Sequence, residues 1–172
     1  MKPNIVIVGR PNVGKSTLFN RLTSRRDAIV DDQPGVTRDR REGNAKIGDI
    51  NFTAIDTAGL EDAFDDSLTA RMRRQTEIAI RDADIVILVV DVRAGVTPVD
   101  KHFADWLRTL SLPIILLANK CEGSKARPSV YEFYSLGLGD PIPVSAEHGI
   151  GINLLYEAVV ESLLDRDLTI TE

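Results

Sequence analysis

Asn4-Ile5-Val6-Ile7-Val8-Gly9-Arg10-Pro11-Asn12-Val13-Gly14-Lys15-Ser16-Thr17-Leu18-Phe19 is the stretch from which the rest of the chain is read. Residues 4–8 are a short apolar run, the pattern of a strand buried on both faces of a parallel sheet. Residues 17–22, Thr-Leu-Phe-Asn-Arg-Leu, read as the first turns of a helix. Between them, Gly9 to Ser16 fits the spacing G-x-x-x-x-G-K-[ST] of a phosphate-binding loop. Gly9 and Gly14 permit a tight turn that brings backbone N–H groups inward around phosphate oxygens. The helix adds its own unpaired N–H groups and the positive end of its dipole. In such a loop Lys15 supplies a point charge to the terminal phosphates, and the Ser16 hydroxyl supplies a magnesium ligand. Arg10, Pro11, Asn12, Val13 and Thr17 complete the stretch expected to line the phosphates.

Composition narrows the class. The chain has 172 residues, enough for one domain with a sizeable core. With 43% hydrophobic and 27% charged residues it reads as soluble and globular. The formal charge of −5 argues against strong RNA binding by this domain alone, because phosphate neutralisation needs a basic face. No apolar run approaches membrane-spanning length. Met1 leads almost directly into the first strand, so no signal peptide is expected. A single cysteine, Cys121, cannot form an internal disulfide, and the expected location is cytoplasmic.

Strands and helices alternate along the chain, which predicts an α/β fold of three layers with helices on both faces of a mostly parallel sheet. Six strands are predicted, at 4–8, 43–47, 50–56, 85–90, 113–118 and 141–144. The second and third meet at Gly48-Asp49 with hairpin spacing, so one strand should run against the others. Residues 24–41 read as a long polar connection, with Arg38, Arg40 and Arg41 on a solvated face. Helices are predicted at 67–81 with Leu68, Met72, Ile78 and Ala79 inward, and from Pro98 to about Leu110 with Phe103, Trp106 and Leu107 inward. Two more are predicted at 127–135 and 152–164, the last with Leu154, Leu155, Ala158, Val159 and Leu163 inward. His102 and His148 have no partners at metal-ligand spacing. Residues 1–165 form the expected domain, and 166–172 a polar tail.

Three further segments end predicted strands, at the edge where such sheets bind ligands. Asp56-Thr57-Ala58-Gly59 places a carboxylate where it can hold magnesium through water, and a glycine whose N–H can reach a terminal phosphate. Asn119-Lys120-Cys121-Glu122 suits a purine. An ionised carboxylate only accepts hydrogen bonds, so Glu122 pairs with the N1–H and N2–H₂ of guanine and repels the N1 acceptor of adenine. Asn119 can tie neighbouring loops or meet the purine edge, and the stem of Lys120 can lie along the base. Ser145-Ala146-Glu147 offers backbone N–H groups to the guanine oxygen and small residues that permit close approach.

With the phosphate loop, Thr37, Asp56–Gly59, Asn119–Glu122 and Ser145–Glu147 in this order, the whole chain resembles the translation-factor class of P-loop GTPases. Gly9 to Asn20 resembles the bacterial Era/TrmE-like branch. Ala28-Ile29-Val30-Asp31-Asp32, Pro34 to Arg40, Asp56 to Leu60, and Glu122 in place of Asp resemble the first GTPase domain of the double-GTPase family Der, also called EngA. That family has two tandem GTPase domains and a KH-like domain and works in maturation of the large ribosomal subunit. The resemblance implies that this chain binds GTP and GDP, that the second GTPase domain and the KH-like domain are absent, that residues 166–172 are a polar tail or the start of a linker to that second domain, and that ribosome contacts belong to the full-length protein.

The resemblance also implies roles. Lys15 and the loop bind the β- and γ-phosphates; Ser16 and Thr37 ligate magnesium, Thr37 in the GTP state only; Asp56 holds the ion through water, and Gly59 senses the γ-phosphate. Ras-like enzymes carry a water-orienting Gln where this chain has Leu60, which implies slow intrinsic hydrolysis. Related branches bind potassium through the residue equivalent to Asn12, which makes potassium a second expected cofactor. Two alternatives stand beside this reading: a guanine-nucleotide-gated binding module with negligible hydrolysis, and the GTPase domain of a TrmE-type tRNA-modification enzyme.

Overall fold

The computed structural model describes residues 2–29, 41–57, 76–123 and 127–165. Strand β1 (Asn4–Val8) lies at the centre of the sheet, flanked by β4 (Ile50–Asp56) and β5 (Ile85–Asp91), both parallel to it. Beyond β5 come β6 (Ile114–Asn119) and the short β7 (Ile142–Pro143), again parallel. Beyond β4, β3 (Arg41–Ile47) runs antiparallel, joined to it by the Gly48-Asp49 turn. The six strands expected from the sequence are all present, with one running against the rest.

A seventh strand, β2 (Thr23–Ile29), adds to the edge, giving the order β2-β3-β4-β1-β5-β6-β7. Most of this stretch lies within the polar connection expected at residues 24–41. It hides its character because Ser24, Arg25, Arg26 and Asp27 break any apolar alternation in the sequence. Its pairing with β3 is irregular, Thr23 facing Ala45 and Ala28 facing Gly43.

Two cores lie on the two faces of the sheet, and period-2 alternation sorts the strand residues between them. Ile5 and Ile7 of β1, Ile85, Ile87 and Val89 of β5, and Ile115 and Leu117 of β6 pack with helices α1 (Lys15–Leu22) and α5 (Ile152–Asp165). Val6, Val8, Val86, Leu88, Val90, Leu116 and Ala118 pack on the other face, with helical residues 76–81 (α2) and helix α3 (Pro98–Leu107). There they also meet Phe133 and Leu136 of a 3₁₀ helix that extends α4 (Arg127–Val130). Burying each of the Val, Ile, Leu and Phe side chains among them contributes about 1.5–3 kcal/mol.

Trp106 is buried as expected. Two inward assignments are corrected. Ile78 is 55% exposed because the buried stripe of this segment runs through Thr76, Ala79, Ile80 and Ala83, spaced i, i+3, i+4, i+7. Leu154 is 39% exposed for the same reason: Leu155, Val159 and Leu163 carry the buried line of α5. Helix α3 starts where Pro98 predicts, behind a capping box of Thr97 and Asp100, and ends at Leu107.

Candidate functional site at the carboxyl edge of the sheet

The carboxyl ends of β1, β4, β5 and β6 deliver Gly9, Asp56, Asp91 and Asn119 to one edge. The loop after β1 depends on two glycines. Gly9 has φ +151°, and a Cβ there would stand 2.5 Å from the Val89 carbonyl oxygen. Gly14 caps α1 at φ +101°, and a Cβ there would run into the side-chain nitrogen of Asn119. Asn12 also has a left-handed backbone, at φ +66°. Inside the loop the buried Lys15 ammonium donates to the carbonyl oxygens of Gly9 (2.7 Å) and Arg10 (2.8 Å).

Asp56 is buried at the end of β4, and Ser16 Oγ donates to its Oδ2 at 3.5 Å. Thr57 turns inward, its hydroxyl donating to the Ile7 carbonyl at 2.8 Å. The structure thus brings Ser16 and Asp56 together beside Lys15. Thr37, Ala58, Gly59, Leu60, Leu68 and Met72 lie outside the described residues.

The second half of the site is strapped to the first by Asn119, which is 3% exposed. Its Nδ2 donates to the Val13 carbonyl at 2.9 Å, and its Oδ1 accepts the Ala146 N–H at 2.9 Å. Lys120, at φ +65°, sends Nζ to the Asn12 carbonyl (2.8 Å) and to Asp91 Oδ2 (3.1 Å). Glu122 accepts from the Ser145 hydroxyl at 3.0 Å and from Arg93 Nη2 at 2.9 Å. The turn from Ser145 to Ile150 is closed by a pair of backbone hydrogen bonds, 2.9 and 3.1 Å long. Arg21 of α1 donates to the carbonyl oxygens of Ala146 and Glu147 and pins that turn from behind.

Several contributors were not singled out by sequence reading. His148 Nε2 stands 3.6 Å from Glu122 Oε2, so this histidine does have an acidic neighbour. Arg41, read as a solvated residue, is instead ion-paired to Asp56 at 2.9 Å and lies over the Phe19 ring. A hairpin register drawn from Gly48-Asp49 would have placed it there. Arg93 and Arg21 carry no local signal; only tertiary packing brings them in. Arg10 reaches toward Asp100, with Nε 3.6 Å from Oδ1, while its Nη1 donates to the Pro11 carbonyl of the loop at 3.4 Å. Burial pushes the Asp100 carboxyl above its usual range, opposed by hydrogen bonds from Thr97 and by the Arg10 charge.

The profile of the family described as "50S ribosome-binding GTPase" matches residues 4–120. The chain belongs to this GTPase family. Among curated relatives it is 59% identical over 161 residues to GTPase Der of Parvibaculum lavamentivorans, covering 94% of the chain and 34% of that protein. It is 62% identical over 165 residues to GTPase Der of Ruegeria pomeroyi, covering 96% of the chain and again 34% of the relative. The GTPase domain therefore spans about a third of the length of the relatives it matches. Among solved structures it is similar to Aquifex aeolicus Era bound to GDP.AlF4-, with a TM-score of 0.74 and 28% identity, covering 94% of this chain and 57% of that one. It is similar too to Era in complex with MgGDPNP and nucleotides 1506–1542 of 16S ribosomal RNA, with a TM-score of 0.75, 27% identity and the same coverage. The three-layer P-loop fold expected from the sequence is the fold of these neighbours. Among the described residues no helix is long and apolar enough to cross a membrane.

Proposed function

We propose that this chain is the first GTPase domain of a longer Der-type protein: a cytoplasmic, GTP-binding and GTP-hydrolysing switch that works in maturation of the large ribosomal subunit. The observation that carries the reading is the Asn119 strap. It ties the phosphate loop at Val13 to the turn at Ala146, whose neighbour Ser145 donates to the Glu122 carboxylate. Residues 1–165 act as the switch and 166–172 lead toward the remaining domains. Those domains carry the ribosome contacts, since an acidic domain of charge −5 has little grip on RNA.

In this reading Gly9 to Thr17 enclose the phosphates, and Lys15 reaches the β- and γ-phosphates from its seat against the Gly9 and Arg10 carbonyls. Ser16 and Asp56 are hard oxygen donors converging on one point, which suits magnesium. Thr37 joins them in the GTP state. Magnesium, when bound, neutralises charge developing on the phosphate oxygens. Gly59 senses the γ-phosphate, and Thr57, Ala58 and Leu60 complete that segment of the nucleotide site. Glu122 accepts from the guanine N1–H and N2–H₂, Lys120 covers the base, and the backbone of Ser145, Ala146 and Glu147 meets its oxygen. The exposed Asn12 offers an amide oxygen at the mouth of the loop, the donor type potassium prefers, and a monovalent cation there adds positive charge to the phosphates. Leu60 cannot orient water, so hydrolysis is slow without such help.

Binding and turnover with GTP and ATP test the reading. Wild type should bind GTP with magnesium and ignore ATP, while Glu122→Ala should lose most of that preference. A chain that favours ATP would overturn the assignment. Turnover should be faster in KCl than in NaCl; equal rates would remove the potassium role of Asn12. Single-turnover hydrolysis near zero in both salts would favour a switch whose work is nucleotide-gated docking alone.

A further inference from the structure

The register of the β3–β4 hairpin has a chemical result. Pairing runs without a break from Ile47 opposite Ile50 at the turn to Arg41 opposite Asp56 at the ligand edge. Cross-strand partners in an antiparallel pair stand close enough to interact directly. Arg41 Nη2 donates to Asp56 Oδ2 at 2.9 Å, and the same oxygen accepts Ser16 Oγ at 3.5 Å. The guanidinium carbon lies 4.9 Å from the centroid of the Phe19 ring, within cation–π range. The Asp56 side chain is 0% exposed and that of Arg41 33%, so water screens the pair on one side only.

We propose that Arg41 is a positioning residue that competes with the divalent cation for Asp56: its guanidinium holds the carboxylate oxygen through which that cation would be retained. The proposal rests on the magnesium role given above to Ser16 and Asp56. A carboxylate already bonded to a guanidinium has less negative charge to offer a second cation. Two cations sharing one carboxylate oxygen also repel, by an amount worth about tenfold in affinity even in a water-like dielectric. Phe19, fully buried in α1, lies beneath the guanidinium, and this contact helps hold Arg41 at the site. Arg41 also opens β3 four residues after Thr37, so the backbone that carries the expected GTP-state ligand continues into the residue that guards Asp56. Magnesium retention is thereby tied to where this arginine sits.

The test is the release rate of a fluorescent GDP across a range of free Mg²⁺, with an EDTA endpoint. Arg41→Gln removes the charge; Arg41→Met is a second neutral variant that keeps an aliphatic contact with Phe19; Arg41→Lys keeps the charge. Both neutral variants should lower the Mg²⁺ concentration giving half-maximal retention by about tenfold, while Arg41→Lys stays within about twofold of wild type. In EDTA the neutral variants should release GDP as fast as wild type or faster, because the charge that repels the cation also attracts the phosphates, so the competition is read from the Mg²⁺ half-point. A half-point unchanged or raised in the folded neutral variants overturns the proposal. Release from wild type that ignores Mg²⁺ altogether removes the magnesium role of Asp56, and the competition with it.

Discussion

Replacing Asn119 by Ala should be costly out of proportion to the atoms removed. The side chain is 3% exposed and makes two hydrogen bonds of 2.9 Å, to the Val13 carbonyl and from the Ala146 N–H. Val13 and Ala146 are themselves 0% and 1% exposed, so neither backbone group gains easy access to water when its partner goes. Leaving a buried polar group without its partner costs about 1–3 kcal/mol. Two of them, with some relaxation of the loops, set the expected loss at about 3 kcal/mol. Native domains have only about 5–15 kcal/mol in all. With a urea slope of about 2 kcal/mol/M, the unfolding midpoint should fall by about 1.5 M. Asn119→Asp separates the two bonds: it keeps the acceptor for Ala146 but sets a carboxylate against the Val13 carbonyl. It should therefore lose at least as much stability as the alanine variant at neutral pH. GTP affinity should fall in both, because the phosphate loop and the Ser145–Ile150 turn are no longer held together. A midpoint for Asn119→Ala within about 0.3 M of wild type, at unchanged slope, would refute the claim that this side chain is the strap.

Gly14→Ala forces a side chain onto a backbone at φ +101° and pushes its Cβ into the Asn119 amide nitrogen. Fluorescent-GDP titration should show at least about a tenfold loss of affinity, given that strain at such a position costs on the order of 1–3 kcal/mol. Asp100 gives a pH test: because burial raises its folded-state pKa, folding takes up a proton between the ordinary carboxylate value of 3.8 and the raised one. Its contribution therefore falls as pH rises through that window and stays lower above it. Asp100→Asn keeps an oxygen for the Thr97 N–H but cannot ionise, so its stability relative to wild type should rise from about pH 4 to 7 in urea titrations. A difference that does not change with pH would show that the carboxyl is not held above its usual range.

What the sequence could and could not disclose follows from the range of the interactions. Gly9, Gly14, Lys15 and Ser16 were readable because a phosphate loop is built from one unbroken stretch with a strand before it and a helix after. Asp56 and Asn119 were readable as strand ends. Strand β2 was not, since an edge strand needs no apolar alternation and Ser24 to Asp27 show none. Nor was the partner of Arg41: a run of arginines is ordinarily a wet surface, and only the hairpin register turns this one toward Asp56. Arg21 and Arg93 reach the site from α1 and the β5–α3 loop, and nothing near them in the chain marks where they end. Ile78 and Leu154 failed for a subtler reason. Each is apolar and helical, but one position off the stripe that faces the sheet.

The left-handed backbone at Lys120 explains why one tetrapeptide can do two tasks. Along an extended strand, residues three apart point to opposite faces. Asn119 and Glu122 would then diverge, one toward the phosphate loop and one away from the Ser145 turn. At φ +65° Lys120 breaks the alternation, and both side chains reach the same edge. A lysine held there costs roughly 1–2 kcal/mol. The structure offsets this with bonds on both sides: Val92 N–H to the Asn119 carbonyl (3.1 Å), Cys121 N–H to the Val144 carbonyl (2.9 Å), and Lys120 Nζ to Asn12 and Asp91. Lys120 thus fastens the phosphate loop through its side chain and, through its backbone, turns Glu122 toward the Ser145 turn. Asn119 ties the same two loops from the buried side, so phosphate grip and base selection should weaken together whenever either residue is changed.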